Sequence, residues 1–316
     1  MFTGRIGHLE IESPWGNAGG LVKTPEELEL MAQTAVGWVE AGSYTLDTRI
    51  GNAPNGETVY HHDSETGETF NSLGMSNKGM AELEKEIPAM VKIAQDLGKS
   101  VIFNVAPVSD NPSEESKELV ERAYSAGAEA VLLNAGCPNV VTENGGRHEL
   151  LSRNPEVLLE VLNTLKPIAE EFKPIFIRTS PVENFVQAND MVRAIIKSNV
   201  VSAVFTPNTW PGHRPVDEDA VPILQVPGNI GGLSGPSIAG PARDQAAWAG
   251  YALTEHKSEI DLVSSAGIMN GGELKRRLGI GAVAGCGTTL YWESAENDLT
   301  WGDATDKLLR EYADSL

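Results

Sequence analysis

The residues of this chain best suited to chemistry gather in the stretch Val131–Asn139, which reads V-L-L-N-A-G-C-P-N. Three apolar residues in a row read as a strand buried on both faces. The run then breaks into Asn134, Gly136, Cys137, Pro138 and Asn139. A buried strand that delivers a carboxamide and a thiol into a Pro-Asn turn suits the C-terminal mouth of a parallel barrel, where reactive groups are housed. A thiol becomes a useful base when its pKa, ordinarily ~8.5, falls beside positive charge. Taken alone, Cys137 reads as a small buried hydrophobe, the commonest fate of a lone cysteine. The other strand ends reverse that reading.

At or just after each apolar run stands a polar residue or glycine: Asn104, Asn134, Arg178, Asn208-Thr209, Gly267 and Gly287-Thr288. Carboxamides and a guanidinium converging on one rim are costly to bury unless paired, so they point to a flat ligand rich in donors and acceptors. Glycines cluster at Gly231-Gly232-Leu233-Ser234-Gly235, Ser265-Ala266-Gly267-Ile268 and Gly285-Cys286-Gly287-Thr288. Loops after strands seven and eight of a barrel commonly hold a phosphate on backbone N–H groups, and glycine lets that backbone approach the oxygens. Histidine offers less. His61-His62 point to opposite faces of a strand, and His8, His148, His213 and His256 are scattered, most of them expected at the surface. Neither a metal motif nor G-x-S-x-G is present.

Positioning such a rim requires repeated βα units, and the chain supplies them. A hairpin over residues 4–12 precedes a first barrel strand at Ser13–Ala18. Thr24-Pro25-Glu26-Glu27 then opens a helix with a capping box. The pattern predicts strands at Gly37–Thr45, Val101–Val105, Ala130–Leu133, Ile175–Arg178, Ala203–Thr206, Leu262–Ser265 and Ala282–Gly285. Residues 46–80 form a long excursion whose V-Y-H-H-D-S-E-T-G-E-T-F segment reads as a hairpin over the barrel mouth. Asn111-Pro112 and Asn154-Pro155 each place a cap before a first-turn proline. The expectation is an α/β fold, a (β/α)₈ TIM barrel forming one domain over residues 1–316.

A chain of 316 residues buries a large core, so neither a disulfide nor a structural metal is needed. Its two cysteines, Cys137 and Cys286, form no paired motif, which fits a reducing cytoplasm. The net charge of −20 repels nucleic acid and anionic lipid, and draws interest to any basic residue near a pocket. No run approaches membrane-spanning length and the start lacks a signal-peptide core, so a soluble cytoplasmic protein is expected.

From Gly16-Asn17-Ala18-Gly19 to Gly287-Thr288-Thr289-Leu290 the chain resembles the dihydroorotate dehydrogenases, flavin-dependent barrels of pyrimidine synthesis. Its most specific pieces are F-N-S-L-G-M-S-N-K-G at 70–79, N-A-G-C-P-N at 134–139 and K-P-I-F-I-R-T-S-P at 173–181. P-N-T at 207–209, G-G-L-S-G-P at 231–236 and S-A-G-I at 265–268 follow in order. The resemblance implies that FMN lies across the mouth against Ala18-Gly19, Ser43, Asn104 and Asn134. Its phosphate would rest on Gly235, Ala266-Gly267 and Gly287-Thr288. Dihydroorotate would be held by Asn71, the backbone of Leu73, Gly74 and Met75, Asn134, Asn139 and Asn208-Thr209. Cys137 falls where soluble class 1 members place the catalytic base, whereas membrane-bound class 2 members use serine.

Three positions depart from the class 1 pattern. Arg178 replaces the strand-five lysine that favours the anionic reduced flavin, and Arg is a broader planar donor. Gly42 stands where class 1 members carry a second lysine. Lys23, in G-G-L-V-K, matches instead the class 2 substrate lysine. The implied reaction is FMN-dependent oxidation of dihydroorotate to orotate. Two alternatives stay open: a paralogue acting on another cyclic amide or enone, and a flavin-free phosphate-binding lyase or isomerase. The likeness also implies a homodimer. The acceptor could be fumarate, a quinone, or NAD reached through a separate electron-transfer subunit.

Overall fold

The computed structural model describes residues 2–137 and 150–316. A small antiparallel hairpin, β1 (Gly4–Ile6) and β2 (Leu9–Ile11), leads into β3 (Trp15–Asn17), α1 (Pro25–Ala32) and β4 (Trp38–Tyr44). Next come β5 (Tyr60–Asp63), β6 (Glu68–Asn71), α2 (Met80–Asp96), β7 (Ser100–Val105), α3 (Pro112–Ser125) and β8 (Ala130–Asn134). The chain continues through α4 (Pro155–Thr164), α5 (Lys166–Glu171), β9 (Ile175–Arg178), α6 (Phe185–Ser198) and β10 (Val201–Thr206). It ends with β11 (Trp210–His213), β12 (Gly231–Ser234), α7 (Ala239–Glu255), β13 (Asp261–Ser265), α8 (Gly271–Gly279), β14 (Ala284–Gly287), α9 (Thr289–Glu296) and α10 (Trp301–Asp314).

Eight strands pair in parallel in the order β3-β14-β13-β10-β9-β8-β7-β4, a TIM barrel as expected. The remaining seam, between β3 and β4, has no ladder. Asn17 bridges it with its side chain: Oδ1 accepts from the Glu40 N–H at 2.9 Å and Nδ2 donates to the Glu40 carbonyl at 2.7 Å. One buried carboxamide thus supplies both bonds that a neighbouring strand would have made.

Side chains alternate across a strand, and that rule sorts the barrel interior by height. Trp38, Ile102, Leu132, Phe176 and Val263 fill the lower layers with Phe205 and Ala284, while the β1–β2 hairpin adds Ile6, Leu9 and Ile11. Two residues further along the same faces stand Glu40, Asn104, Asn134, Arg178, Ser265 and Cys286, all buried. The intervening residues, such as Val39, Val101, Phe103, Val131, Leu133 and Ile177, face the helices in a separate apolar cluster. The barrel is therefore greasy at its base and polar at its C-terminal rim.

The expected caps are present. Thr24 makes a capping box with Glu27, and Asn111 and Asn154 accept from the N–H of Glu114 and Val157. The expected hairpin in the excursion is β5–β6, but it does not stand alone. With β11 and β12 it forms a four-stranded antiparallel sheet, β11-β12-β6-β5, at the barrel mouth. Strand eight lies two residues later than its sequence suggested, at Ala284–Gly287 rather than Ala282–Gly285, where it pairs with β3. In the hairpin, the His62 side chain is buried against Thr69 and Glu296. Among the described residues no helix is long and apolar enough to cross a membrane.

Candidate active site

A cleft of about 970 Å³, its open mouth included, lies over the C-terminal rim of the barrel. Each of the eight barrel strands contributes to it with its last residues or the loop that follows. The loop after β3 brings Ala18, Gly19 and Lys23; β4 brings Ser43; β6 and the turn beyond it bring Asn71, Leu73, Gly74 and Met75. Asn104, Asn134, Cys137 and Arg178 come from β7, β8 and β9, and Asn208-Thr209 from the end of β10. Ala266, Gly267, Gly287 and Thr288 close the far side. Of the residues singled out in the sequence, Gly235 is not among the lining residues, and Asn139 lies outside the described residues.

Lys23 projects from the β3–α1 loop, its ammonium donating to the Ser76 carbonyl and, at 3.4 Å, to Ser76 Oγ. Burial holds its pKa below the ordinary lysine value, opposed by the carboxylate of Glu27 and the nearby Cys137. Asn134 is fixed at both ends: Nδ2 donates to Ser43 Oγ at 3.0 Å, while Oδ1 accepts from the Gly136 N–H at 3.2 Å and from Asn208 Nδ2 at 3.4 Å. The turn carrying Leu73–Met75 is tied down by Asn77, which donates to Thr45 Oγ1 and the Met75 carbonyl and accepts from the N–H of Thr45 and Gly79. Gly74 and Met75 both adopt positive φ there, at 73° and 57°. Cys137 is partly exposed and in no disulfide, whereas Cys286 is buried and its thiol is pushed up to about 11 by that burial.

On the far side Arg277, itself fully buried, donates to the carbonyls of Ser265, Ala266 and Ala239 and to Ser264 Oγ. It clamps the turn after β13, in which Ala266 and Gly267 have φ of 64° and 70°. Helix α9 begins beside that turn at Thr288, with no side chain capping its first N–H groups. The backbone of that turn and the uncapped start of α9 that directly follows Gly287 together suit a phosphate-like anion. The third glycine cluster does something else. Gly231-Gly232 belong to β12, and a Cβ at Gly231 would lie 2.5 Å from the Asn71 carbonyl oxygen, so glycine there permits two strands to approach.

Beneath the cleft lies a group the sequence reading missed. Glu40, with no solvent exposure, pairs with Arg178 Nη2 and accepts from Asn104 Nδ2 at 2.6 Å. Burial opposes charge on Arg178, but Glu40 overrides it and holds the guanidinium above its ordinary value. The signal was present: a lone acid inside W-V-E-A-G, on a strand with no exposed face. Among the described residues no cluster of histidine, cysteine and carboxylate side chains is arranged to hold a metal.

Gly42 explains why a lysine is absent from β4. Its φ is 128°, and a Cβ there would lie 2.4 Å from the Asn104 carbonyl oxygen. Gly42→Lys, like Gly42→Ala, is expected to cost about 2 kcal/mol or more. A lower urea midpoint at unchanged m would show it, and an unchanged midpoint would count against this backbone reading.

A model of the dihydroorotate dehydrogenase family matches residues 1–296 of the chain. Among curated proteins, the dihydroorotate dehydrogenase (quinone) of Neisseria meningitidis is 24% identical over 283 residues, covering 87% of this chain and 78% of its own. That of Halorhodospira halophila is 25% identical over 287 residues, covering 88% and 78%. The crystal structure of DHODH in complex with ferulenol from Eimeria tenella superposes with a TM-score of 0.75 at 18% identity, covering 99% of this chain and 84% of that one.

Proposed function

The chain belongs to the dihydroorotate dehydrogenase family, and on that premise we propose that it oxidises dihydroorotate to orotate with FMN as its cofactor. The observation that carries this reading is a single cleft in which a partly exposed thiol, a lysine, a ring of carboxamides and an anion seat meet. The donor set suits the cofactor. Arg178 Nε and Asn104 Oδ1 are buried at the cleft floor with no hydrogen-bond partner among the described residues, and a flat heterocycle would satisfy such groups. Ala18-Gly19, Ser43, Asn104, Asn134 and Arg178 would hold the ring system. Ala266-Gly267, Gly287-Thr288 and the uncapped start of α9 would hold the phosphate. Gly235, outside the cleft lining, is given no contact.

Oxidation removes a proton from the carbon beside a carbonyl and a hydride from its neighbour. We assign Cys137 as the base that takes the proton, leaving the substrate's new double bond conjugated to that carbonyl. When bound, FMN supplies the acceptor for the hydride. Lys23 would pair with the substrate carboxylate, a contact made stronger by partial burial and otherwise rare on so acidic a chain. Asn71, Asn134, Asn208 and Thr209 would match the ring amides, with the backbone of Leu73, Gly74 and Met75 closing over them. Asn139 would join them by family likeness.

The reading is tested on the purified protein. It should be yellow, and anaerobic addition of dihydroorotate should bleach the flavin band while dihydrouracil leaves it. A colourless protein that takes up no FMN would favour a flavin-free barrel enzyme. Bleaching by dihydrouracil alone would favour a paralogue with another cyclic amide substrate, the alternative raised by Gly42 and Arg178 standing where the family has lysines. The same cuvette, titrated with fumarate, a quinone or NAD, identifies the acceptor. The relatives from Neisseria and Halorhodospira are quinone enzymes by name.

A further inference from the structure

A buried ion pair is a weak device for stability. Desolvating two charges costs several kcal/mol, and an apolar pair of similar volume commonly does as well or better. Glu40 and Arg178 therefore need another account, and their position offers one. Arg178 and Asn104 line the cleft, whereas Glu40, in the same tier of the barrel, does not. A Cβ on the lining residue Gly19 would come 2.9 Å from Glu40 Oε1 and 3.0 Å from Asn104 Nδ2, so only a glycine backbone separates the carboxylate from the cleft.

Every hydrogen-bonding part of Glu40 is engaged. Asn17 holds its N–H and carbonyl, Asn104 occupies Oε1 and Arg178 occupies Oε2. Arg178 in turn faces Ser265 Oγ at 3.5 Å, Cys286 Sγ at 3.8 Å and the ring of Phe205 at 5.4 Å. Cys286 remains a neutral thiol near pH 7. Glu40 is thus the one anion against Arg178 among the described residues.

We propose that Glu40 is a positioning residue of the cleft: it orients Arg178 and cancels most of its charge, so that a flavin bound there is harder to reduce than over a lone cation. The proposal rests on the FMN reading above. Reduced flavin is anionic at its pyrimidine edge, so its stability follows the net charge beneath it rather than the presence of an arginine. A unit charge ~10 Å from such a group moves its equilibrium by roughly tenfold at an effective dielectric of ~20.

Glu40→Gln is the decisive substitution, and the site can absorb it. Glutamine keeps the shape of glutamate, its oxygen can accept from Arg178 Nη2 in place of Oε2, and a flip of the Asn104 amide turns Oδ1 toward the new side-chain NH₂. Dye-coupled redox titration of the FMN-loaded protein is expected to show reduced flavin bound about tenfold more tightly relative to oxidised flavin. At ~30 mV per decade for a two-electron couple, that is a midpoint about 30 mV higher. Affinity for sulfite, which adds to electron-poor flavins, should rise in parallel. The double variant Glu40→Gln with Arg178→Gln carries neither charge of the pair and should return close to the wild-type midpoint. A Glu40→Gln protein that keeps FMN and titrates at the wild-type potential overturns the proposal. If that variant does not fold, the double variant decides alone, and a midpoint about 30 mV or more below wild type would show that Glu40 never offset the arginine. A wild-type protein that binds no FMN would remove the cofactor reading and this one with it, an outcome distinct from an unmoved potential.

Discussion

Cys137→Ser is expected to slow reduction of bound FMN by dihydroorotate by about 10²- to 10³-fold, with the flavin still in place. The hydroxyl keeps the size and hydrogen-bonding capacity of the thiol, but it surrenders a proton far less readily near neutral pH. Cys137 lines the cleft without belonging to a strand, so the substitution leaves the barrel ladder intact. Stopped-flow absorbance at the flavin band under anaerobic conditions measures the step directly. The rate of the serine variant should climb with pH well beyond the range in which the wild type levels off. Equal rates for the two proteins would remove Cys137 from the role of base. Cys286→Ser is the control: its thiol remains protonated near pH 7 and is buried beneath the cleft, so it cannot take a proton from substrate.

Lys23→Met is expected to raise the KM for dihydroorotate by about 10²-fold with a smaller fall in kcat. Removing one partner of a buried, hydrogen-bonded charge pair typically costs about 2–5 kcal/mol, and tenfold corresponds to about 1.4 kcal/mol. Methionine keeps the packing of the aliphatic stem, so the loss reports the ammonium. The informative comparison is with dihydrouracil, which lacks the carboxylate. Selectivity for dihydroorotate over dihydrouracil should collapse in the variant. If KM for both compounds rises equally, Lys23 supports the Ser76 turn rather than the substrate. Lys23 donates to the Ser76 carbonyl here, so substrate binding would require it to share or exchange that partner.

The barrel was legible because parallel strands buried on both faces read as apolar runs, and each run ended in a group with something to offer a ligand. I-F-I-R at 175–178 matched its strand without error, since an arginine abruptly closes an unbroken apolar run. Ala282–Gly285 missed by two residues because A-V-A-G-C-G has no period to fix where pairing begins. Two strands escaped altogether. β11 reads W-P-G-H and β12 reads G-G-L-S, compositions that local propensity assigns to turns. β12 is a strand because β6 lies alongside it, and β11 because β12 does, tertiary facts with no local signature. The cleft residues emerged from motif and position together, whereas Glu40 did not. One acid in an apolar strand announces burial, but its partner lies 138 residues away and cannot be read from spacing.

Asn17 gives the molecule a property that no single one of its neighbours has. The carboxamide that zips the last gap of the cylinder is also the one that grips the main chain of Glu40 from both sides. Architecture and electrochemistry therefore share a fastener. Whatever loosens the staves of the cylinder at that point also shifts the counter-ion beneath the cleft, so mechanical integrity and redox tuning are inherited as one trait.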